Sequence, residues 1–198
     1  TFKTAPAAQE DFAFAVYGDN RPFAGLNRHG AVVEAMRRRD ETARFRFIVN
    51  TGYLVENPGQ GYGWQWRQFL DRITPLASTK PYHVSLGNHE ARGGTREYEE
   101  YFDFGEQTFW YSFDYSGVHL IFLSTQHDTA PGSPQYTWLE QDLKNRPAGT
   151  RFTIAAFHKP LLTYDPRERY RNDTRRNDLG PLFEREGVDL VLAGHVHA

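Results

Sequence analysis

The chain has 198 residues, 39% of them apolar and 15% aromatic, which suits one well-buried domain and is short for two. A net charge of −2 and a pI near 6.4 leave no basic footprint, which argues against nucleic-acid binding by bulk electrostatics. The absence of cysteine removes disulfides, thiolate catalysis and Cys-based zinc sites, and no apolar run reaches membrane-spanning length.

Residues 1–11 are small and polar and read as an N-terminal arm, with one domain over residues 12–198. No segment resembles a signal peptide. A soluble, cysteine-free chain suits either redox compartment, an extracytoplasmic one after signal removal included. Phe12-Ala13-Phe14-Ala15-Val16-Tyr17 is a continuous apolar run, the pattern of a strand buried on both faces, and it ends at Gly18-Asp19-Asn20-Arg21-Pro22. Residues 29–39 then place Val32, Val33 and Met36 on one helical face, with Arg37, Arg38 and Arg39 in a last turn where cations complement the helix dipole.

The pattern repeats. Phe45-Arg46-Phe47-Ile48-Val49 reads as a strand ending at Asn50-Thr51-Gly52-Tyr53. A helix follows in which Trp66, Phe69, Leu70 and Ile73 recur at helical spacing, a core stripe. A third strand, residues 82–86, opens into Gly87-Asn88-His89-Glu90. Strand–helix–strand–helix–strand at this spacing predicts parallel pairing with right-handed crossovers.

After a short helix carrying Tyr98, Tyr101 and Phe102, residues 109–115, a Ser116-Gly117 turn and residues 118–123 predict an antiparallel hairpin. Ser133 and Pro134 mark a helix start, with Tyr136, Leu139 and Leu143 on one face. Residues 152–157 form another strand, ending at His158-Lys159-Pro160, and residues 163–177 read as a polar surface loop over the site. A last helix with Leu179, Leu182 and Phe183 stops at Gly187, and a last strand, residues 188–192, ends at Gly194-His195-Val196-His197.

Asp19, Asn88, His158, His195 and His197 each follow a predicted strand, so loops at one sheet edge can bring them together. Imidazoles with a carboxylate and an amide oxygen are borderline ligands, suited to Zn, Mn, Fe or Ni rather than calcium. His195 and His197 alternate, which projects both rings to one side of an extended segment. His29, His83, His119 and His127 read as ordinary core or surface residues.

The order Gly-Asp, Gly-Asn-His-Glu, a lone His after a strand, then Gly-His-x-His resembles the calcineurin-like metallophosphoesterases. The segments Trp110-Tyr111-Ser112-Phe113-Asp114-Tyr115 and Gly132-Ser133-Pro134-Gln135-Tyr136-Thr137-Trp138-Leu139-Glu140 are most similar to the purple-acid-phosphatase-like branch. The resemblance implies an α/β fold, a four-layer αββα sandwich of two mixed sheets. It also implies a dinuclear-type site, holding two divalent or trivalent transition metals such as Mn, Zn or Fe, with a metal-activated hydroxide for phosphoester hydrolysis. Carried over by position, Asn88, His158 and His195 hold one metal and Asp19 and His197 the other. His89 is the proton donor to the leaving group, with Glu90 orienting the site.

Two positions depart from the pattern. Where the family has a Gly-Asp whose carboxylate bridges both metals, this chain has Gly52-Tyr53. Two dications about 4 Å apart repel by about 16 kcal/mol at an effective dielectric of 20, so a bridging anion matters. Purple acid phosphatases place a Tyr ligand three positions after that aspartate, where this chain has Glu56. Tyr53 is left open as a new ligand, a blocking substitution or a deliberate change. The first motif is often Asp-x-His, and Arg21 holds the histidine place; a guanidinium clamps phosphate, so Arg21 is assigned to substrate. His29 could supply the missing imidazole, but reads first as a surface histidine at a helix start. The chain stops directly after the last motif, which reads as a sandwich truncated at its C-terminal end.

The function that follows is a metal-dependent phosphoric ester hydrolase, impaired by Tyr53, acting on small-molecule or protein phosphoesters and binding no membrane. The alternative is a silent relative that binds phosphate or a phosphorylated ligand. The oligomeric state is not legible.

Overall fold

Three apolar runs form a parallel sheet in a computed structural model that describes residues 6, 9–21, 28–59, 61–105, 108–163 and 175–197. Its strands are β1 (Ala15–Tyr17), β2 (Ile48–Asn50) and β3 (Tyr82–Val84), paired in that order. Ala15 and Tyr82 both pair with Ile48. Hydrogen bonds continue the alignment past the ladder, from Thr51 N–H to Tyr17 O (3.0 Å) and from Ser85 N–H to Asn50 O (2.9 Å). The motif residues therefore leave the sheet in step. Val16 is 41% exposed, because β1 is the edge strand among the described residues; the expectation of burial on both faces fails there.

Helices α1 (His29–Ala43) and α2 (Gly63–Ala77) connect these strands. Helix α1 runs past the expected end at Arg39, so Arg37 lies mid-helix and pairs with Glu34 (2.8 Å) and Glu41 (3.4 Å). With no basic residue in the last turn, the arginines stabilise a solvated face rather than the helix terminus. Asp40 ends the helix by accepting the Phe45 N–H (2.6 Å). His29 is buried rather than at the surface, with Nε2 3.0 Å from the Tyr17 hydroxyl and its ring stacked on Phe69. Burial lowers its pKa to about 4, with Arg72 adding to the shift.

The second sheet, in the order β4 (Tyr111–Tyr115), β5 (Val118–Phe122), β6 (Phe152–Ala156) and β7 (Leu190–Leu192), is mixed: β4 is antiparallel to β5, and the rest pair parallel. The hairpin turn places Ser116 (φ 49°) and Gly117 (φ 79°) in the left-handed region, the backbone that matches strand twist. Helix α3 (Arg96–Tyr101) leads from β3 into β4, α4 (Pro134–Lys144) joins β5 to β6, and α5 (Arg175–Glu186) joins β6 to β7. Ser133 Oγ accepts the Tyr136 N–H (3.2 Å) to cap α4, and Gly187 (φ 68°) follows α5. Of the expected loop over residues 163–177, residues 164–174 lie outside the described residues, and residues 175–177 begin α5.

Four layers result. Phe47 and Val49 pack between the sheets against Leu120, Phe122, Ile154 and Ala156. Trp66, Phe69 and Ile73 cover the first sheet, and Leu139, Leu143, Leu182 and Phe183 cover the second. The end of the expected arm is tied down, Gln9 Nε2 donating to Gly149 O (2.8 Å) and Arg46 pairing with Glu10 (2.8 Å). Among the described residues, no helix is long and apolar enough to cross a membrane.

Candidate metal centre

The ends of β1, β2 and β3 meet those of β6 and β7 at one rim of the sandwich, and every residue expected in the site lies there. Close backbone approach shapes the rim. A Cβ on Gly87 would run into Glu90 Oε2 and Tyr53 N, and one on Gly194 would strike Asp19 Oδ2. Asp19 (φ 51°), Tyr53 (φ 67°) and His195 (φ 71°) all adopt left-handed backbone, a strained state for a side-chain-bearing residue that persists only where surrounding contacts impose it.

His158, at the end of β6, is fully buried, and its Nδ1 lies 2.9 Å from Thr51 O. A carbonyl only accepts, so Nδ1 carries the proton and the Nε2 lone pair points into the rim. There it meets Asn88 Oδ1 at 2.8 Å and His195 Nδ1 at 3.2 Å. His195 Nδ1–H can donate to that lone pair, whereas the amide oxygen faces it as a second acceptor. An acceptor facing an acceptor is relieved by a cation between them, so these three donors fit one borderline metal ion. Burial holds the His158 pKa down at about 3; the Thr51 carbonyl opposes this and neighbouring cationic groups reinforce it.

Asp19 and His197 form a separate pair. His197 Nε2 lies 3.0 Å from Asp19 Oδ1, and the His195 backbone N–H reaches both Asp19 oxygens (3.1 and 2.9 Å). Among the described residues, no group of three or more His, Asp or Glu side chains closes into a ligand shell. The tightest convergence uses an amide as its third donor, and among the described residues no third His, Asp or Glu side chain joins the Asp19–His197 pair. The Asn88, His158 and His195 donors are of types that suit one borderline metal ion.

Tyr53 lies among these groups. Its ring stacks on His89 (centroids 3.8 Å) and His197 (5.5 Å), and it meets His158 edge-on (5.9 Å). The Arg21 guanidinium lies 4.4 Å from the ring centre and pairs with Glu56. The phenol donates to Glu56 Oε2 (3.4 Å), and burial raises its pKa, which opposes a phenolate. His89 Nδ1 donates to Glu56 O (2.8 Å), which leaves Nε2 as the ring's second nitrogen for chemistry. Burial lowers the His89 pKa.

Sequence reading gave Glu56 and Arg92 no role, yet both lie in this cluster; Arg92 Nη1 is 3.8 Å from Glu56 Oε1. The one available signal for Glu56 was its place three residues after Tyr53. Glu90, expected to orient the site, accepts backbone N–H groups from Tyr53, Leu54, Val55 and Gly87.

Two packed sheets clad in helices, with a histidine- and amide-lined rim at the strand ends, define the architecture of a metallophosphoesterase. The chain belongs to the calcineurin-like phosphoesterase family, whose model it matches over residues 14–198. It is 33% identical over 206 residues to purple acid phosphatase 18 of Arabidopsis thaliana, spanning 98% of this chain and 45% of that protein. It is 30% identical to the probable inactive purple acid phosphatase 9 of the same plant, over 70% of this chain and 27% of the relative. A purple acid phosphatase from yellow lupin (Lupinus luteus) seeds superposes with a TM-score of 0.82 at 24% identity, covering 99% of this chain and 40% of that one. The chain therefore spans less than half the length of each of these relatives.

Proposed function

We propose that the chain is a metal-dependent phosphoric ester hydrolase whose metal is held by Asn88, His158 and His195. The observation that carries this reading is the convergence of Asn88 Oδ1 and His195 Nδ1 on the unprotonated Nε2 of His158, within 3.2 Å and from both sheets. A Mn, Zn or Fe ion bound there would polarise a phosphoryl oxygen and lower the pKa of a water. The chain's own residues supply the rest. Arg21 offers a planar fork to the phosphoryl group once Glu56 yields it. His89, its Nδ1–H committed to the Glu56 carbonyl, presents Nε2 towards the leaving oxygen and would deliver a proton from there as the doubly protonated imidazolium. The Asp19–His197 pair and the His195 backbone N–H fix the far wall. Small-molecule or protein phosphoesters fit this site.

A silent phosphate-binding relative is the second reading, favoured by Tyr53 among the metal donors and by the name of one relative, a probable inactive phosphatase. The test is hydrolysis of aryl phosphates by Mn-, Zn- or Fe-loaded protein with parallel metal analysis. His89→Ala should keep its metal and lose turnover about 100-fold or more, most for poor leaving groups. Loaded protein without turnover supports the silent reading, and equal losses on good and poor leaving groups remove His89 as the acid.

A further inference from the structure

We propose that Arg21, fixed by Glu56 and the Tyr53 ring, supplies this site's second positive charge in place of a second metal ion and takes the dianionic phosphoryl group of a phosphomonoester. The inference rests on the one-metal reading above and deepens it. Arg21, Tyr53 and Glu56 all depart from the family pattern, and they are not scattered. The guanidinium pairs with Glu56, lies 4.4 Å from the Tyr53 ring centre, and the Tyr53 hydroxyl reaches Glu56 at 3.4 Å. Three substitutions in mutual contact form one unit. That unit borders the Asp19–His197 pair, since the Tyr53 ring stacks 5.5 Å from His197.

Charge accounting favours the exchange. Asp19 is taken up by His197 and by the His195 backbone N–H, and Tyr53 brings no carboxylate to bridge two dications. At a given separation, a guanidinium repels a neighbouring dication half as strongly as a second dication does. A buried guanidinium needs a partner, and Glu56 provides one; the Arg21 side chain is only 13% exposed. The same geometry allows release. Glu56 is 30% exposed and has a second cation, Arg92, 3.8 Å away, so an incoming phosphoryl group can take the Arg21 fork while Glu56 turns to Arg92.

The experiment counts metal and measures binding of inorganic phosphate by calorimetry, with turnover of an aryl phosphate recorded separately. The wild-type chain loaded with Zn or Mn should retain one equivalent. Arg21→Gln should also retain one equivalent but bind phosphate at least 10-fold more weakly. The Arg21→His/Tyr53→Asp double variant should take up a second equivalent, whereas Tyr53→Asp alone should not, because the new carboxylate pairs with Arg21. Two equivalents in the wild type, phosphate affinity in Arg21→Gln within twofold of wild type, or one equivalent in the double variant each overturn the inference. The first of these, with turnover, leaves the hydrolase reading standing. One metal and Arg21-dependent phosphate binding without turnover overturns the hydrolase reading and leaves the inference standing. A chain that retains no metal overturns both.

Discussion

The Glu90 carboxylate has no exposed surface and accepts backbone N–H groups from Leu54 (2.8 Å) and Val55 (3.1 Å) on one oxygen, and from Tyr53 and Gly87 (both 2.9 Å) on the other. These bonds impose the left-handed backbone at Tyr53 and so place its ring on His89. Burial pushes the Glu90 carboxyl up to about 7, against the pull of the four N–H groups. A folded pKa above the ordinary 4.5 means that the group's contribution to stability is full below about 4.5 and fades as pH rises towards 7. Glu90→Gln turns an amide NH2 onto two N–H donors. It should therefore lose about 2–4 kcal/mol in denaturant unfolding and flatten the pH dependence between 4.5 and 7. Unchanged stability would remove Glu90 from this role. The sequence displayed Glu90 within a motif and implied a role for it, but gave no hint that its partners were backbone groups 35–37 residues away. Side-chain types are legible in a sequence; main-chain partners brought by another strand end are not.

Between elements, His119 on β5 joins three pieces of the second sheet's outer face. Its Nδ1 meets Asp114 of β4 and its Nε2 meets Asp142 of α4, both at 2.9 Å, while Ser112 Oγ donates to the other Asp142 oxygen (2.6 Å). On the β6 side its neighbour is Thr153, whose hydroxyl is held by Arg146 (2.6 Å) and whose N–H is held by Asp189 (2.7 Å). Burial by itself would lower the His119 pKa, but the two carboxylates override it and hold the imidazolium above the usual 6.5. The clamp is therefore complete below about pH 6.5, and its contribution is lost as pH rises through the raised folded value. His119→Gln should lose about 3 kcal/mol or more at pH 6, with the gap to wild type narrowing above neutrality. Melting profiles of the two proteins that stay parallel from pH 5.5 to 9 would contradict this. The hairpin and the Ser133-Pro134 helix start were legible because turn and cap chemistry are local. The clamp was not, since alternation places His119 on a face but cannot pair it with a carboxylate 23 positions on.

For the whole molecule, the strand-ending motifs were enough to indicate one shared rim, the family resemblance implied two sheets, and apolar period was enough to assign the outer helices. What it could not supply was the exposure of the β1 edge or the mutual contact of Arg21, Tyr53 and Glu56, because both depend on packing between segments far apart in sequence. The proposed metal donors divide between the layers: Asn88 follows β3 of the first sheet, while His158 and His195 follow β6 and β7 of the second. Beneath them the sheets are also held by apolar contact around Phe47, Val49, Phe122 and Ile154 and by hydrogen bonds such as Ser85 Oγ to Ala156 O (3.2 Å) and His158 Nδ1 to Thr51 O (2.9 Å). An ion bound by all three donors therefore links the two sheets, and it has no equivalent site in the unfolded chain. At a free concentration about 100 times its dissociation constant it should stabilise the fold by about 2.7 kcal/mol. For a chain of this size that corresponds to a rise in melting temperature of about 5–10 °C. The rise should vanish with a chelator and fall below about 2 °C in both His158→Ala and His195→Ala. A full rise retained in either variant would place the metal elsewhere, and the link between the sheets with it.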